Sequence, residues 1–323
     1  MRPITNRAEI EVVTQEPGGA AAAAPPRVKA RADEAGVQAV PDAQAAAAKA
    51  GAENFPVALR VLPRRYRRYL MAVYTFARTV DDVGDLAPAP DRMRLLGELA
   101  DDVRRLYQDL AGPALTAEGA PQAAVAGLTG AIRDCKIPMQ PFLDLIAANE
   151  QDQVVTRYQT VDELLGYCRL SANPVGRIVL YVFGCFSPER ARLSDAICTG
   201  LQLTEHWQDV GEDLRAGRIY LPAADMQGYG CSEQDLAGRS AGPHLRRLMA
   251  FEAGRARDLI DEGAPLVGSL RGAARTAVAG YVAGGRAALT AIGKADYDVL
   301  SATPRAGKAA VVSELIKTLA RGR

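Results

Sequence analysis

Two histidines, His206 and His244, are all that 323 residues supply, too few for a histidine-based zinc site or for more than one nucleophile–histidine arrangement. The five cysteines, Cys135, Cys168, Cys185, Cys198 and Cys231, never fall into a CxxC. An odd number without that spacing gives no disulfide or zinc framework and suits a reducing compartment, where such side chains fill cores. Net charge is missing too: 39 Lys and Arg stand against 38 Asp and Glu, so no basic bias advertises nucleic acid, and none is expected as a partner. Charge must act locally. No run of eighteen apolar residues occurs, which excludes a transmembrane helix. No GxGxxG enters a helix after a strand, which argues against a Rossmann-type nicotinamide site, although helical enzymes bind NADPH by other means.

What the chain does have is core-forming material, 48% hydrophobic residues, enough for one large domain or two small ones. Residues 1–48 stand apart, with PGGAAAAAPPR and a second alanine run, AQAAAAKA. So little apolar surface predicts a disordered tail whose end is helical. It does not read as a secretory leader, because the alanine run is weakly apolar and no basic-then-leucine-rich segment precedes a cleavage-like site. A cytoplasmic location is expected, with peripheral membrane contact as the alternative; Lys308, Lys317, Arg321 and Arg323 on the C-terminal helix could touch anionic lipid.

From Glu53 onward the spacing is helical. Helices are predicted over 63–85, 91–110, 121–134, 139–150, 161–184, 188–214, 240–262, 268–292 and 305–321, divided by Pro- and Gly-containing joints. Alternating β patterns are absent. Pro63 stands where a helix can start, PAPD at 88–91 breaks the first one, and Asn173-Pro174 predicts a kink within 161–184. The expected fold is all-α, a single helical domain over residues 49–323 with a central cavity between long helices.

Two stretches organise that cavity. In LQLTEHWQDVGEDLRAGRIYLP, residues 201–222, about 100° per residue places Gln202, Glu205, Asp209 and Asp213 within an arc of roughly 80°. Leu203, Trp207, Val210 and Leu214 gather on another face. In YTFARTVDDVGD, residues 74–85, Tyr74, Arg78, Asp81 and Asp85 share an arc of roughly 60° bordering Leu70, Val73 and Ala77. Either stripe alone is ordinary solvated surface; two in one chain suggest paired carboxylates facing each other. A di-iron site would need Glu-x-x-His pairs, and neither histidine follows a glutamate by three. Mg²⁺ suits the residues better, since it prefers oxygen and is commonly held by one or two carboxylates plus substrate phosphates. Such a site would neutralise a leaving diphosphate and favour heterolysis of an allylic or cyclopropylcarbinyl C–O bond. Arg78 and Arg218 would add fixed positive charge.

FARTVDDVGD followed by QDVGEDLRAGRIYLP closely resembles the squalene/phytoene synthase family, from about Glu53 to at least residue 290. ENFPVALRVLP at 53–63, DQVVTRY at 152–158 and YCRLSANPVGRIVLYVFG at 167–184 look like the branch that makes hydroxysqualene in hopanoid biosynthesis, the HpnC-type enzymes. The resemblance implies an isoprenoid-synthase fold in which Asp81 with Asp85, and Asp209 with Asp213, are the two metal-binding pairs, Glu205 adding a further oxygen. It also implies that Tyr74 and Arg78 border the diphosphate, Gln202 lines the cavity, and Asp152, Arg157 and Tyr158 complete a D-x4-R-Y element. Many family members carry asparagine where this chain has Glu205 and arginine where it has Gln208, which makes a generic phytoene synthase less apt.

The reaction implied is Mg²⁺-dependent loss of diphosphate from presqualene diphosphate, followed by capture of the cation by water to give hydroxysqualene, with no nicotinamide consumed. Tyr74, Phe55, Tyr167, Tyr181 and Phe183 are the aromatic candidates to shield the cation. Ala172, Gly176 and Gly200 would leave room for C15 chains, or let helices pack closely. Two alternatives stay open: a head-to-head prenyltransferase joining two C15 or C20 diphosphates, farnesyl diphosphate among them, on the same metal site, and a catalytically silent lipid-binding or assembly factor.

Overall fold

Pro63, extended in ψ and without an N–H to leave unbonded, ends the incoming chain and starts α1 (Arg64–Leu86). A computed structural model describes residues 62–112 and 122–321 of the chain; the calls on the tail and on Phe55 lie outside them. α1 buries Leu70, Val73, Phe76 and Val80 along one face; Leu70 and Val73 belong to the stripe its sequence spacing predicts, Phe76 is an addition the spacing does not predict, and Ala77 is only partly buried. A single 3₁₀ turn at Ala89–Asp91 replaces helix where PAPD removes backbone donors, and α2 (Arg92–Ala111) follows. Next come α3 (Ala123–Ala126), α4 (Thr129–Cys135) and α5 (Gln140–Asp152). These helices enclose one core cluster, in which Phe76 meets Phe142 edge-on at 5.4 Å between centroids.

The second half is built from α6 (Val161–Ser171), α7 (Asn173–Val182), α8 (Pro188–Gln208), α9 (Val210–Arg215), α12 (Pro243–Gly263) and α14 (Gly272–Lys294). Short helices α10 (Ala223–Gly228), α11 (Glu233–Leu236) and α13 (Leu266–Ser269) fill the connections, and α15 (Lys308–Arg321) lies along α14. A second core cluster forms here around Trp207, which is fully buried and donates its indole N–H to Glu252 O at 3.1 Å. The chain is all-α; among the described residues the only β feature is one isolated bridge, Arg157 to Ile219. No described helix is long and apolar enough to cross a membrane. On α15, Val312 and Ile316 are exposed while Thr318 is buried.

Three expected helices are each divided in two. The break expected at Asn173-Pro174 is real: Ala172 turns to φ −112°, and Pro174 sits in the first turn of α7, where its missing donor costs nothing. Asn173, buried at that joint, accepts a 2.9 Å hydrogen bond from Thr199 Oγ1 on α8. The predicted helix over 188–214 instead stops at Gln208, because Asp209 adopts φ −105°, ψ 14° before α9 resumes. Nothing in the helical periodicity marks that stop. The segment 121–134 divides at Gly127–Leu128 into α3 and α4.

α7 and α8 run antiparallel, and their close approach is made by Gly176, where a Cβ would lie 2.3 Å from Ser194 Oγ and 2.5 Å from Cys198 Sγ. Gly200 serves a different neighbour. A Cβ there would stand 2.8 Å from Ala256 O and 2.7 Å from Ile260 Cγ1 on α12, so helix packing, not substrate room, accounts for it. The Gly200→Ala variant should lose about 1 kcal/mol or more of stability, overpacking against backbone outweighing the gain in helix propensity. A thermal melt reads this directly, and an unchanged or higher midpoint would contradict the packing described.

Candidate active site

Between α1, α6, α7, α8 and α14 lies a cavity of about 340 Å³, within the size range of small-molecule sites. α1 contributes Leu70, Tyr74, Ala77 and Asp81, successive turns of one face that rise about 16 Å at 1.5 Å per residue. α8 contributes Cys198, Gln202, Glu205 and Gln208, again one face. Small residues of α14, Gly284, Gly285 and Ala288, together with Tyr281, form the opposing wall. The chamber is apolar along most of its length, with carboxylates where Asp81 and Glu205 enter it. A wider, open depression of about 710 Å³ along Arg64, Arg65, Arg67, Arg68 and Met71 includes no carboxylate.

Asp81 keeps exposed surface and opens onto this cavity, with α5 beside it. Loss of hydration pushes its carboxyl up to about 6, against a hydrogen bond from Asn149 and the nearby positive charge of Arg78. Asn149 Nδ2 reaches Asp81 Oδ1 at 3.1 Å from α5. It can do so because residue 84 is glycine: a Cβ there would stand 2.3 Å from Asn149 Oδ1. One turn on, Gln153 Nε2 donates to Gly84 O at 3.1 Å, and Arg92 donates to Asp85 O at 2.7 Å and Ala87 O at 2.9 Å. The end of α1 that bears the acids is therefore tied down by α5 and α2.

The second motif reaches the first through Arg218. α9 ends on Gly217, at φ 84°, with Arg218 N–H bonded to Asp213 O and Gly217 N–H to Leu214 O, the paired bonds of a Schellman cap. That reversal sends Arg218 to Asp85, with which it forms an ion pair, and leaves it 4.0 Å from Asp152. Asp152 in turn accepts from Tyr167 Oη at 2.7 Å and Tyr220 Oη at 3.2 Å; burial raises its carboxyl pKa. Tyr220 stacks on His206 at 3.7 Å between centroids.

Sequence spacing grouped Gln202, Glu205, Asp209 and Asp213 on one stripe, and the break at Asp209 divides them. Gln202 and Glu205 line the cavity; Asp209 and Asp213 do not. Asp213 lies 3.8 Å from His206 Nδ1, whose Nε2 is 3.3 Å from Gln202 Nε2. Asp209 is half-buried, and desolvation, then repulsion from Glu212 and Asp213, lifts its carboxyl to about 6. Arg78 pairs with Asp82 at 2.7 Å. Arg157 directs its guanidinium to Glu233 at 2.8 Å and to Gly217 O at 2.8 Å, bracing the turn before Arg218 and not lining the cavity. Among the aromatic candidates Tyr74 is in the wall. Tyr167 packs with Tyr158, Tyr220 and His206, Tyr181 stacks on Phe186, and Phe183 meets Tyr66; none of the three lines the cavity. Cys198, expected as core filler, does line it. Tyr281, Ser171 and Asn149 went unnoticed in the sequence; a tyrosine among glycines and alanines in GYVAGG is the one signal that pointed to a wall.

The sequence model of the squalene/phytoene synthase family matches residues 48–311. The chain belongs to that family. Its similarity to the hydroxysqualene synthase of Rhodopseudomonas palustris is 35% identity over 68% of this chain and 72% of the relative. To that of Zymomonas mobilis it is 37%, over 64% and 67%. Among solved structures, squalene synthase HpnC from Alicyclobacillus acidocaldarius superposes with a TM-score of 0.68 at 43% identity, covering 76% of this chain and 89% of that one. A dehydrosqualene synthase in complex with a ligand, 23% identical, shares the fold at a TM-score of 0.71, over 86% and 95%. The chain is thus an enzyme acting on prenyl diphosphates, and the alternative of a silent lipid-binding relative is set aside.

The charged donors at the cavity, Asp81 and Glu205, offer oxygen, as a hard cation requires. Among the described residues no three His, Cys, Asp or Glu side chains come close enough to enclose an ion by themselves. Mg²⁺ would fit such an incomplete set if water and diphosphate completed its shell; burial, acting on the charged form, raises the Asp81 and Asp209 carboxyls. The sign of the resulting pH effect is definite. A carboxyl raised by folding makes ionisation a cost that is absent below its ordinary value near 4 and complete above about 6. Metal-free Asp81→Asn should therefore melt higher than the parent at pH 7.5, by the equivalent of about 1 kcal/mol after allowance for water in the cavity. The gain should vanish at pH 4; equal melting at both pH values would refute it.

Proposed function

We propose that the chain converts presqualene diphosphate into hydroxysqualene and free diphosphate in a Mg²⁺-dependent step of hopanoid and squalene biosynthesis. The observation that carries the reading is that Asp81 and Glu205, from helices remote in sequence, open onto one greasy cavity. Likeness to hydroxysqualene synthases from several bacteria supports the choice of branch. Asp81 and Glu205 would hold the metal from the cavity wall, and Asp85, Asp209 and Asp213, which do not line the cavity, would act on it through water or diphosphate. When bound, Mg²⁺ supplies Lewis-acid neutralisation of the departing diphosphate.

The chain's own residues do the rest. Arg218 holds a fixed positive charge beside Asp85 and Asp152, at the point where the two motifs meet, and Arg78 stands on the same stripe as the first acid pair. The apolar walls from α7, α8 and α14 keep bulk water from the cation. Tyr74, with Tyr281 opposite, presents an aromatic side chain to it. Work at a cytoplasmic membrane surface would suit so apolar a substrate, with α15 as the contacting helix.

A second reading, condensation of two farnesyl diphosphates or their C20 counterparts, draws on 32% identity to the phytoene synthase of Mycobacterium tuberculosis. Purified protein incubated with Mg²⁺ and presqualene diphosphate should release an alcohol of hydroxysqualene mass whether or not NADPH is present, and leave farnesyl diphosphate unchanged. Condensed farnesyl diphosphate beside intact presqualene diphosphate would favour the second reading instead. Asp81→Asn and Asp209→Asn should each lower turnover by about 10²–10³-fold, the scale of losing one electrostatic element of a site, with the far-ultraviolet circular dichroism of the parent. Retained turnover would remove these carboxylates from the metal site.

A further inference from the structure

One glycine in the chamber wall has no packing reason to be glycine. At Gly84, Gly176, Gly200, Gly263 and Gly285, the other buried glycines among the described residues, an added Cβ would stand 2.7 Å or less from an atom of a neighbouring helix. At Gly284 it would meet nothing within 4 Å. Gly284 is buried in the middle of α14 with a helical backbone, so no left-handed φ calls for glycine either. Glycine in such a place weakens a helix relative to alanine. The open space beside it belongs to the chamber, which Gly284 lines.

Two contacts fix the depth of that space. Arg190, in the first turn of α8, donates to Ser269 O at 2.7 Å just before α14 begins, and a Cβ on Gly285 would stand 2.6 Å from Leu201 Cδ2 farther along both helices. α8 and α14 therefore run in the same direction with residue 285 beside residue 201, which brings Ala288 level with Thr204 and Glu205. At 1.5 Å per residue, Gly284 lies about 6 Å below that level, just under the carboxylate end of the chamber. A linear prenyl diphosphate carries a single chain past this depth. A cyclopropylcarbinyl diphosphate branches within a few bonds of its diphosphate and carries two chains, so it needs the chamber to be wide here.

We propose that Gly284 is a specificity-determining residue: its bare Cα leaves room for the second prenyl arm of a branched diphosphate, room that a side chain would take. The inference rests on the function proposed above and adds to it the residue that sets substrate shape. Alanine at this position would strengthen the helix and narrow the chamber; glycine does the reverse.

The test compares the full chain with its Gly284→Ala and Gly284→Leu variants by thermal melts, by turnover of presqualene diphosphate with Mg²⁺, and by calorimetric binding of farnesyl thiodiphosphate, an unreactive single chain, with Mg²⁺. Gly284→Ala should melt no lower than the parent, because its methyl group enters open space. In kcat/KM for presqualene diphosphate, Gly284→Ala should fall about threefold and Gly284→Leu about 10–100-fold, the scale of overpacking a space that substrate must fill. Affinity for farnesyl thiodiphosphate should stay within about threefold of the parent in both. A lower melt for Gly284→Ala would return the glycine to helix packing. Parental kcat/KM in every variant that folds, or farnesyl thiodiphosphate affinity lost as heavily as presqualene diphosphate turnover, would overturn the assignment to the second arm while leaving the proposed function in place. A parent inert toward presqualene diphosphate would overturn the proposed function and this inference together.

Discussion

Negative charge at one end of an apolar chamber is the constraint around which this molecule is arranged. Asp81 opens onto the chamber, Asp85 and Asp152 meet at Arg218, and Asp209 and Asp213 follow the break after α8; where burial limits hydration, each carboxylate needs a donor or a cation. The protein answers with Asn149 for Asp81, Arg218 for Asp85, and two tyrosine hydroxyls for Asp152. Asp81 and Asp209 still carry raised carboxyls. That residual is a stability cost of keeping charge where hydration is poor.

Backbone breaks do as much of the positioning as helices do. The joint at Ala172 lets α6 and α7 lie against α8 with Asn173 and Gly176 in contact. The break at Asp209 gives Glu205 and Asp213 different surroundings although they are eight residues apart on what reads as one helix. The left-handed Gly217 then turns the chain so that Arg218 returns to α1. Arg157, bonded to Gly217 O and Glu233, braces that turn, which accounts for an arginine in the D-x4-R-Y element without asking it to touch substrate.

Apolar spacing was enough to read the long helices, because amphipathic stripes such as Leu70, Val73, Phe76 and Val80 repeat whatever the partner helix is. The Asn-Pro break was legible for the same local reason: proline removes a donor wherever it stands. Short helices α10, α11 and α13, at four to six residues, are stabilised by what they pack against and carry no period of their own. Asn149 was invisible, since its significance lies in Gly84, a residue 65 positions away whose missing Cβ makes the space.

By itself the sequence determined the all-α class, the two acidic motifs and the family, since all three depend on residue identity at local spacing. Tertiary structure alone decided which members of those motifs reach the chamber, that Arg218 and not Arg157 meets the first acids, and that Ser171 is left without a partner. Those outcomes depend on distances between segments remote along the chain, and a one-dimensional period cannot encode them. The stripe arithmetic for Asp209 and Asp213 assumed an unbroken helix; one residue with ψ near zero was enough to change what faces what.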